Sequence, residues 1–348
     1  MQTTKRIEYL DALRGFTMIL VVTFHIAYST LKIDATHCGN LHYYFGLFRM
    51  PLFFFISGFL FYKSNFTWNA SAIGKFLKKK IFVQIISPFI IFLCYIHYRD
   101  FTFVESIMDF AKIGYWFTIM LFNFFMLFIL GTRLLNQLRI KRENITLAIL
   151  LATSIVMSVY GLDRIVTLLG MGNTRIIDLF CIGQFRYFIY FMLGVYIKRY
   201  FNLFETLMDK YLLAITVAAF FLANVFIDLD SHTGYTGNIL RTMLAVCGIV
   251  MTFGFFRKHG TFFSSTNRVA ASMRFIGKRT LDIYLLHYFF LSEYSKVFPS
   301  FKEYNLPLLE FAVSLMLALL VIAACLLISA VFRLDNNMAH YLFGAKKK

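Results

Sequence analysis

Asp11-Ala12-Leu13-Arg14-Gly15-Phe16-Thr17-Met18-Ile19-Leu20-Val21-Val22-Thr23-Phe24-His25 is the stretch whose reading decides the class of this protein. Its second half is mostly apolar, yet a carboxylate and a guanidinium open it and an imidazole closes it. Lys5 and Arg6 precede it in the manner of a secretory leader. However, Asp11, Arg14 and His25 interrupt or flank the apolar run, and no small-residue cleavage site follows. The stretch is expected to be a retained first membrane-spanning helix, since about 17–25 mostly apolar residues cross a bilayer.

Outward from it, the same reading predicts ten spans, at 10–31, 45–62, 81–98, 115–132, 145–162, 185–201, 211–228, 238–256, 281–296 and 307–332. The composition agrees. Of 348 residues, 59% are hydrophobic and 15% charged, against about 45–50% and about 25% in soluble domains. That excludes a soluble enzyme, a disordered chain and a fibrous repeat. The net charge of +17 comes from 35 Lys and Arg against 18 Asp and Glu. With the N-terminus inside, the inner segments hold 24 of those 35 basic residues and the outer ones 7, the other 4 lying within spans. This bias follows the positive-inside rule and places both termini in the cytoplasm. It accounts for the charge without nucleic acid. The expected architecture is an all-α, polytopic integral membrane bundle forming a single domain over residues 1–348.

The remaining punctuation is sparse. Pro51 and Pro88 fall inside spans, where proline kinks a helix. The five cysteines are scattered, with no CxxC pair, so neither a zinc site nor a disulfide framework is indicated. The Asn-x-Ser/Thr triplets at Asn65, Asn69 and Asn144 lie on predicted inner loops and carry no glycan role. P-loop, dinucleotide-binding, metalloprotease and nucleophile-elbow motifs are absent, and no metal ligand set is indicated.

Ionisable residues within the bilayer cost several kcal/mol unless paired or hydrated, so they are candidate functional residues. Asp11 and Arg14, three apart, can pair on one helix face. Arg14 and His25 are eleven apart, which brings them to the same face about 16 Å apart along the axis. Arg14 then sits near the inner interface and His25 deep in the membrane, where a neutral imidazole can act as a general base. The plainer reading is a histidine that hydrogen-bonds between helices. Arg49 opens the second span at a comparable depth. It can hold a hydroxyl, carboxylate or oxyanion, or simply snorkel to the interface. Trp116 and Arg186 start the fourth and sixth spans on the outer side, as interface anchors or as a surface for a sugar ring. On the inner side, Lys75, Lys78, Lys79 and Lys80 form one basic cluster. Lys278 and Arg279 form another beside Asp282, with His287 five residues on. These clusters can bind a phosphate-bearing donor, or only set topology and touch anionic lipid.

These motifs together resemble the membrane-bound acyltransferase 3 family, which includes bacterial polysaccharide and sugar O-acetyltransferases. Tyr9–Gly15 followed by His25 is similar to the family's Arg-x10-His signature, and Arg49–Phe59 to its second helix. Tyr115-Trp116-Phe117 and Leu193-Gly194 resemble its middle, and Thr280–His287 its late helix. Many members carry Arg-x-x-Arg entering the third helix. Here the stretch reads Lys78-Lys79-Lys80-Ile81-Phe82-Val83, which keeps basic character but not the second arginine.

The resemblance implies transfer of an acyl group, usually acetyl, from cytosolic acyl-CoA to a hydroxyl of a glycan or glycolipid. It implies no permanently bound cofactor, acetyl-CoA being a co-substrate. The expected catalytic residues are His25, Arg14 and Asp11. The expected substrate contacts are Arg49, Trp116, Arg186, Lys79, Lys80, Arg279, Asp282 and His287. His25 acts either as the base on the acceptor hydroxyl or as the carrier of the acyl group. Membrane lipid is the surrounding partner, and short loops suit a bacterial inner membrane. A proton-coupled secondary transporter, with His25 and Asp282 as relay, or an export component without chemistry, is the alternative from the charges alone.

Overall fold

A computed structural model of the chain describes residues 7–33, 41–64, 66, 68–140, 142–171, 174–291 and 306–345. Lys5, Arg6, Cys38, Asn65, Lys141, Lys296, Lys302 and Lys346 to Lys348 lie outside the described residues. Helices dominate, and no strand occurs among the described residues. The main ones are α1 (Glu8–Thr30), α2 (Leu41–Phe61), α3 (Ala70–Tyr98), α4 (Trp116–Gln137) and α5 (Glu143–Tyr160). They continue as α6 (Phe188–Arg199), α7 (Phe201–Phe226) and α8 (Gly234–Lys258). The last four are α9 (Arg268–Lys278), α10 (Thr280–Leu286), α11 (Pro307–Phe332) and α12 (Asn336–Phe343).

Eight of these, α1 to α5, α7, α8 and α11, are long and apolar enough to cross a membrane. The protein is therefore an all-α, polytopic integral membrane protein. Two of the ten expected spans correspond to shorter helices. In 185–201 the chain opens with a tight 3-10 turn to Tyr187, leaving twelve α-helical residues in α6. In 281–296, α10 ends at Leu286 and a 3-10 turn covers His287–Phe290. Residues 292–296 of the second stretch lie outside the described residues.

The chain divides into two compact units, Met1–Ile56 with Asn202–Val331, and Ser57–Phe201 with Phe332–Lys348. In the first unit, α1 is the most deeply buried of the long helices. Its main neighbour is α9, an amphipathic helix capped by the Asn267 side chain. The two cross at glycines. A methyl on Gly15 would collide with the Met273 carbonyl, and one on Gly277 with the Asp11 carbonyl. Helices that touch backbone to backbone need small residues at the crossing. Arg274 of α9 reaches Glu8 in the first turn of α1 at 3.7 Å. Phenylalanines fill the rest, with Phe55 against Phe253 at 5.0 Å and Phe48 against Phe220 at 5.8 Å between ring centroids.

In the second unit α6 packs on α5, and Gly58 leaves room for the Phe191 carbonyl. Phe61, Phe125 and Phe191 form a triangle of rings with centroids 4.8–5.7 Å apart. Arg199 pairs with Glu143 at 3.3 Å, and the Tyr62 hydroxyl donates to the same carboxylate at 2.7 Å. Within α3, a π-helical turn over Phe82–Ile86 precedes Pro88, which starts the next α segment where its missing N–H costs nothing. The short α12 covers this region, with His340 stacked on Phe82 at 4.4 Å.

Candidate functional site

The first unit gathers most of the candidate residues in two groups along α1. His25 ends the α-helical part of α1, and the next residues, Ile26–Thr30, wind into a π turn. Such turns insert an extra residue and re-aim side chains, and they recur at functional sites. Here the turn holds a half-buried imidazole beside α10. The Tyr288 hydroxyl lies 3.2 Å from His25 Nε2. The His25 and His287 rings stand 5.2 Å apart between centroids, and the His25 and Tyr288 rings 5.1 Å apart. Arg49 belongs to the same neighbourhood. Its guanidinium lies 3.4 Å from the centroid of the Phe24 ring, the residue before His25. An imidazole with a hydroxyl at one nitrogen and a guanidinium within a residue's reach can move a proton and stabilise a developing oxyanion.

His287 is wholly buried, and its Nδ1 sits 3.0 Å from the Ile283 carbonyl and 2.9 Å from the Tyr284 carbonyl. Carbonyl oxygens only accept, so Nδ1 carries the proton and Nε2 the lone pair. That Nε2 is buried and has no hydrogen-bond partner. Another buried histidine, His42, packs its ring 5.2 Å from Phe311, two helical turns before Arg49 on α2.

The second group lies near the start of α1. Arg14 is half-buried and donates to the Thr280 hydroxyl at 2.8 Å. Asp11 is buried beside the Gly277 crossing. Asp282 is buried too. Ser329 donates to its carboxylate, and Arg279 stands 3.6 Å from it. Thus Asp11, Arg14, Arg279 and Asp282 come together around the junction of α1, α9 and α10. Tyr288, Thr280 and Ser329 complete the two groups; Thr280 opens the late-helix stretch quoted from sequence, while Tyr288 and Ser329 carry no sequence signal of their own. A tyrosine, threonine or serine in an apolar helix carries no charge to mark it.

The second unit holds the other four candidates. Trp116 and Arg186 meet through Tyr187, with Trp116 and Tyr187 rings 5.4 Å apart and tilted by 31°. The Arg186 guanidinium sits 5.1 Å from the Tyr187 ring centroid on the exposed side. Two segments shape this platform. The Lys112 ammonium donates to the Asp109 carbonyl at 2.7 Å and the Asp178 carbonyl at 2.6 Å, lashing one segment to the other. Lys112, Ile113 and Cys181 all take left-handed backbone angles, with φ of 49°, 49° and 51°. For a β-branched residue such as Ile113 that conformation is strained, and the surrounding bonds hold it. Burial pushes the Cys181 thiol up from its ordinary value. Elsewhere in the unit, Lys80 lies over the Phe125 ring at 4.4 Å, while Lys79 is exposed. Among the described residues, no three His, Cys, Asp or Glu side chains group as a metal-ligand set.

A family model described as an acyltransferase domain, the acyltransferase 3 type, matches residues 7–331 and so runs through both units. No curated protein and no solved structure matches the chain.

Proposed function

The chain belongs to the membrane-bound acyltransferase 3 family, and from that premise we propose that it moves an acetyl group from acetyl-CoA to a hydroxyl of a glycan or glycolipid. That it is an integral membrane acyltransferase follows from the family and the apolar helices. The donor, the acceptor and the roles of single residues are this reading's own content. The observation that carries it is the cluster of His25, Tyr288, His287 and Arg49, where two imidazoles, a phenol hydroxyl and a guanidinium gather at the end of the α-helical part of α1. A transporter relay through His25 and Asp282 has less support, since Asp282 is engaged by Arg279 and Ser329.

In this reading His25 Nε2 either takes the proton of the hydroxyl as its oxygen attacks the thioester carbonyl, the C–S bond breaking and the proton passing to the departing CoA thiolate, or itself attacks that carbonyl with loss of CoA thiolate and then yields the acyl group to the acceptor hydroxyl, whose proton goes to the thiolate. Arg49 offers its charge to the oxyanion that forms on the acyl carbon. Arg14, Arg279, Lys79 and Lys80 supply the positive charge that draws an anionic donor on the cytoplasmic side, with both termini on that side. The Trp116–Tyr187 platform offers a ring face to a sugar, and a bacterial inner membrane is the fitting location. The test is acetyl transfer in membranes containing wild type or His25→Ala at matched levels, using radiolabelled acetyl-CoA. Label in the glycan or glycolipid fraction with wild type alone supports the reading. Full transfer by a normally inserted His25→Ala removes His25 from the chemistry.

A further inference from the structure

We propose that His287 is the positioning residue of His25: its buried Nε2 accepts the Nδ1–H of the His25 imidazole when that ring becomes charged during transfer. The inference rests on the acyltransfer reading above and adds a second residue to it.

Three observations carry it. His287 Nδ1 is committed to the carbonyls of Ile283 and Tyr284, at 3.0 Å and 2.9 Å, so the tautomer is fixed and Nε2 can only accept. That Nε2 is buried without a partner, which is a costly state for a nitrogen lone pair. And the ring beside it is the His25 imidazole, 5.2 Å away between centroids and tilted by 44°. At this separation the two imidazoles are neighbours, and nitrogen meets nitrogen when the rings reorient in the reacting complex. Catalytic hydrogen bonds are commonly long or misaligned before substrate binds, and tighten in the reacting complex.

The division of labour follows from the geometry. Tyr288 engages His25 at Nε2, so Nε2 is the nitrogen that faces exchange of hydroxyl groups. Nδ1 is then left for a second partner. When Nε2 takes a proton or an acyl group, the His25 ring becomes an imidazolium or acyl-imidazolium, and its Nδ1–H becomes a stronger donor. A fixed neutral imidazole meets that donor without placing a permanent negative charge in an apolar bundle. The complete burial of His287 suits this role, because a positioning residue needs to touch its partner and not the substrate.

The experiment compares wild type, His287→Asn and His287→Gln in intact membranes at matched insertion, with radiolabelled acetyl-CoA and the membrane's own glycan acceptors. Asparagine keeps a donor to the Ile283 and Tyr284 carbonyls but offers nothing at the Nε2 position. Glutamine places an amide oxygen near that position. The expected result is a loss of about 100-fold or more in kcat for His287→Asn, the size typical of proton-transfer machinery. The KM for acetyl-CoA stays within about twofold, and His287→Gln recovers at least about tenfold of the loss. Asn and Gln variants that behave alike, or an effect confined to KM, overturn the role while leaving acyl transfer by His25 standing. A wild type that neither transfers label nor binds acetyl-CoA overturns the parent reading and this inference together.

Discussion

The Tyr288 hydroxyl stands 3.2 Å from His25 Nε2, although 263 residues separate them in sequence. The contact joins the end of the first helix to a late turn at the Nε2 side of the His25 ring. Tyr288→Phe keeps the ring packing and removes only the hydroxyl. A hydrogen bond contributes about 0.5–1.5 kcal/mol net, so transfer is expected to fall roughly 3- to 10-fold. Steady-state rates at saturating acetyl-CoA check this, and an unchanged rate would show that the bond is idle in catalysis.

The crossing of α1 and α9 depends on two glycines, and it holds Asp11 and Arg14 in place. Gly15→Ala and Gly277→Ala each force a methyl against backbone, which has no flexible end to move aside. Overpacking of this kind costs about 1–3 kcal/mol. Both variants are expected to melt earlier in detergent and to insert less well. Gly74→Ala is the control, since nothing lies within 4 Å of a methyl there. Its expected effect is neutral or stabilising by up to about 1 kcal/mol, because alanine favours helix over glycine.

Much of this architecture was legible beforehand, and the gaps have physical causes. Apolar runs broken by charge located the eight long helices, because a bilayer imposes a minimum length on a span. The 3.6-residue period placed Arg14 and His25 on one face, and Arg49 was placed near His25 by depth alone. Its guanidinium lies over the Phe24 ring. Helix α9 lies between predicted spans and is too short, at eleven residues, to register as one, and its packing partner is distant in sequence. The π turn after His25 left no signal, because it changes the hydrogen-bond register and not the composition. Tyr288 and Tyr187 were hidden among twenty tyrosines, and only the folded chain separates those with polar work from those that fill space.

Asp282 tests the distinction between support and relay. Its side chain is 3% exposed and that of Arg279 is 32% exposed. Removing the charge by Asp282→Asn leaves the Ser329 hydroxyl a neutral acceptor, and Arg279 keeps part of its hydration. The expected loss is about 1–2 kcal/mol of stability, below the 3–5 kcal/mol typical of breaking a fully buried pair. Thermal unfolding in detergent reads it, with transfer per folded molecule expected within about threefold of wild type. A variant that is fully stable but inactive would instead make Asp282 part of the proton path.

The stack of Trp116, Tyr187 and Arg186 is assigned above to the acceptor, and the assignment separates from a donor role by kinetics. An aromatic stack is worth about 0.5–1.5 kcal/mol beyond buried area. Trp116→Ala is therefore expected to raise the acceptor KM about 3- to 10-fold, with the acetyl-CoA KM unchanged and Trp116→Phe close to wild type. Tyr187→Ala should do more than Trp116→Ala, because the Tyr187 ring contacts both Trp116 and Arg186. An adenine ring can stack on the same surface as a sugar. If both variants raise the acetyl-CoA KM and leave the acceptor KM alone, the platform belongs to the donor, and the acceptor site must be sought elsewhere.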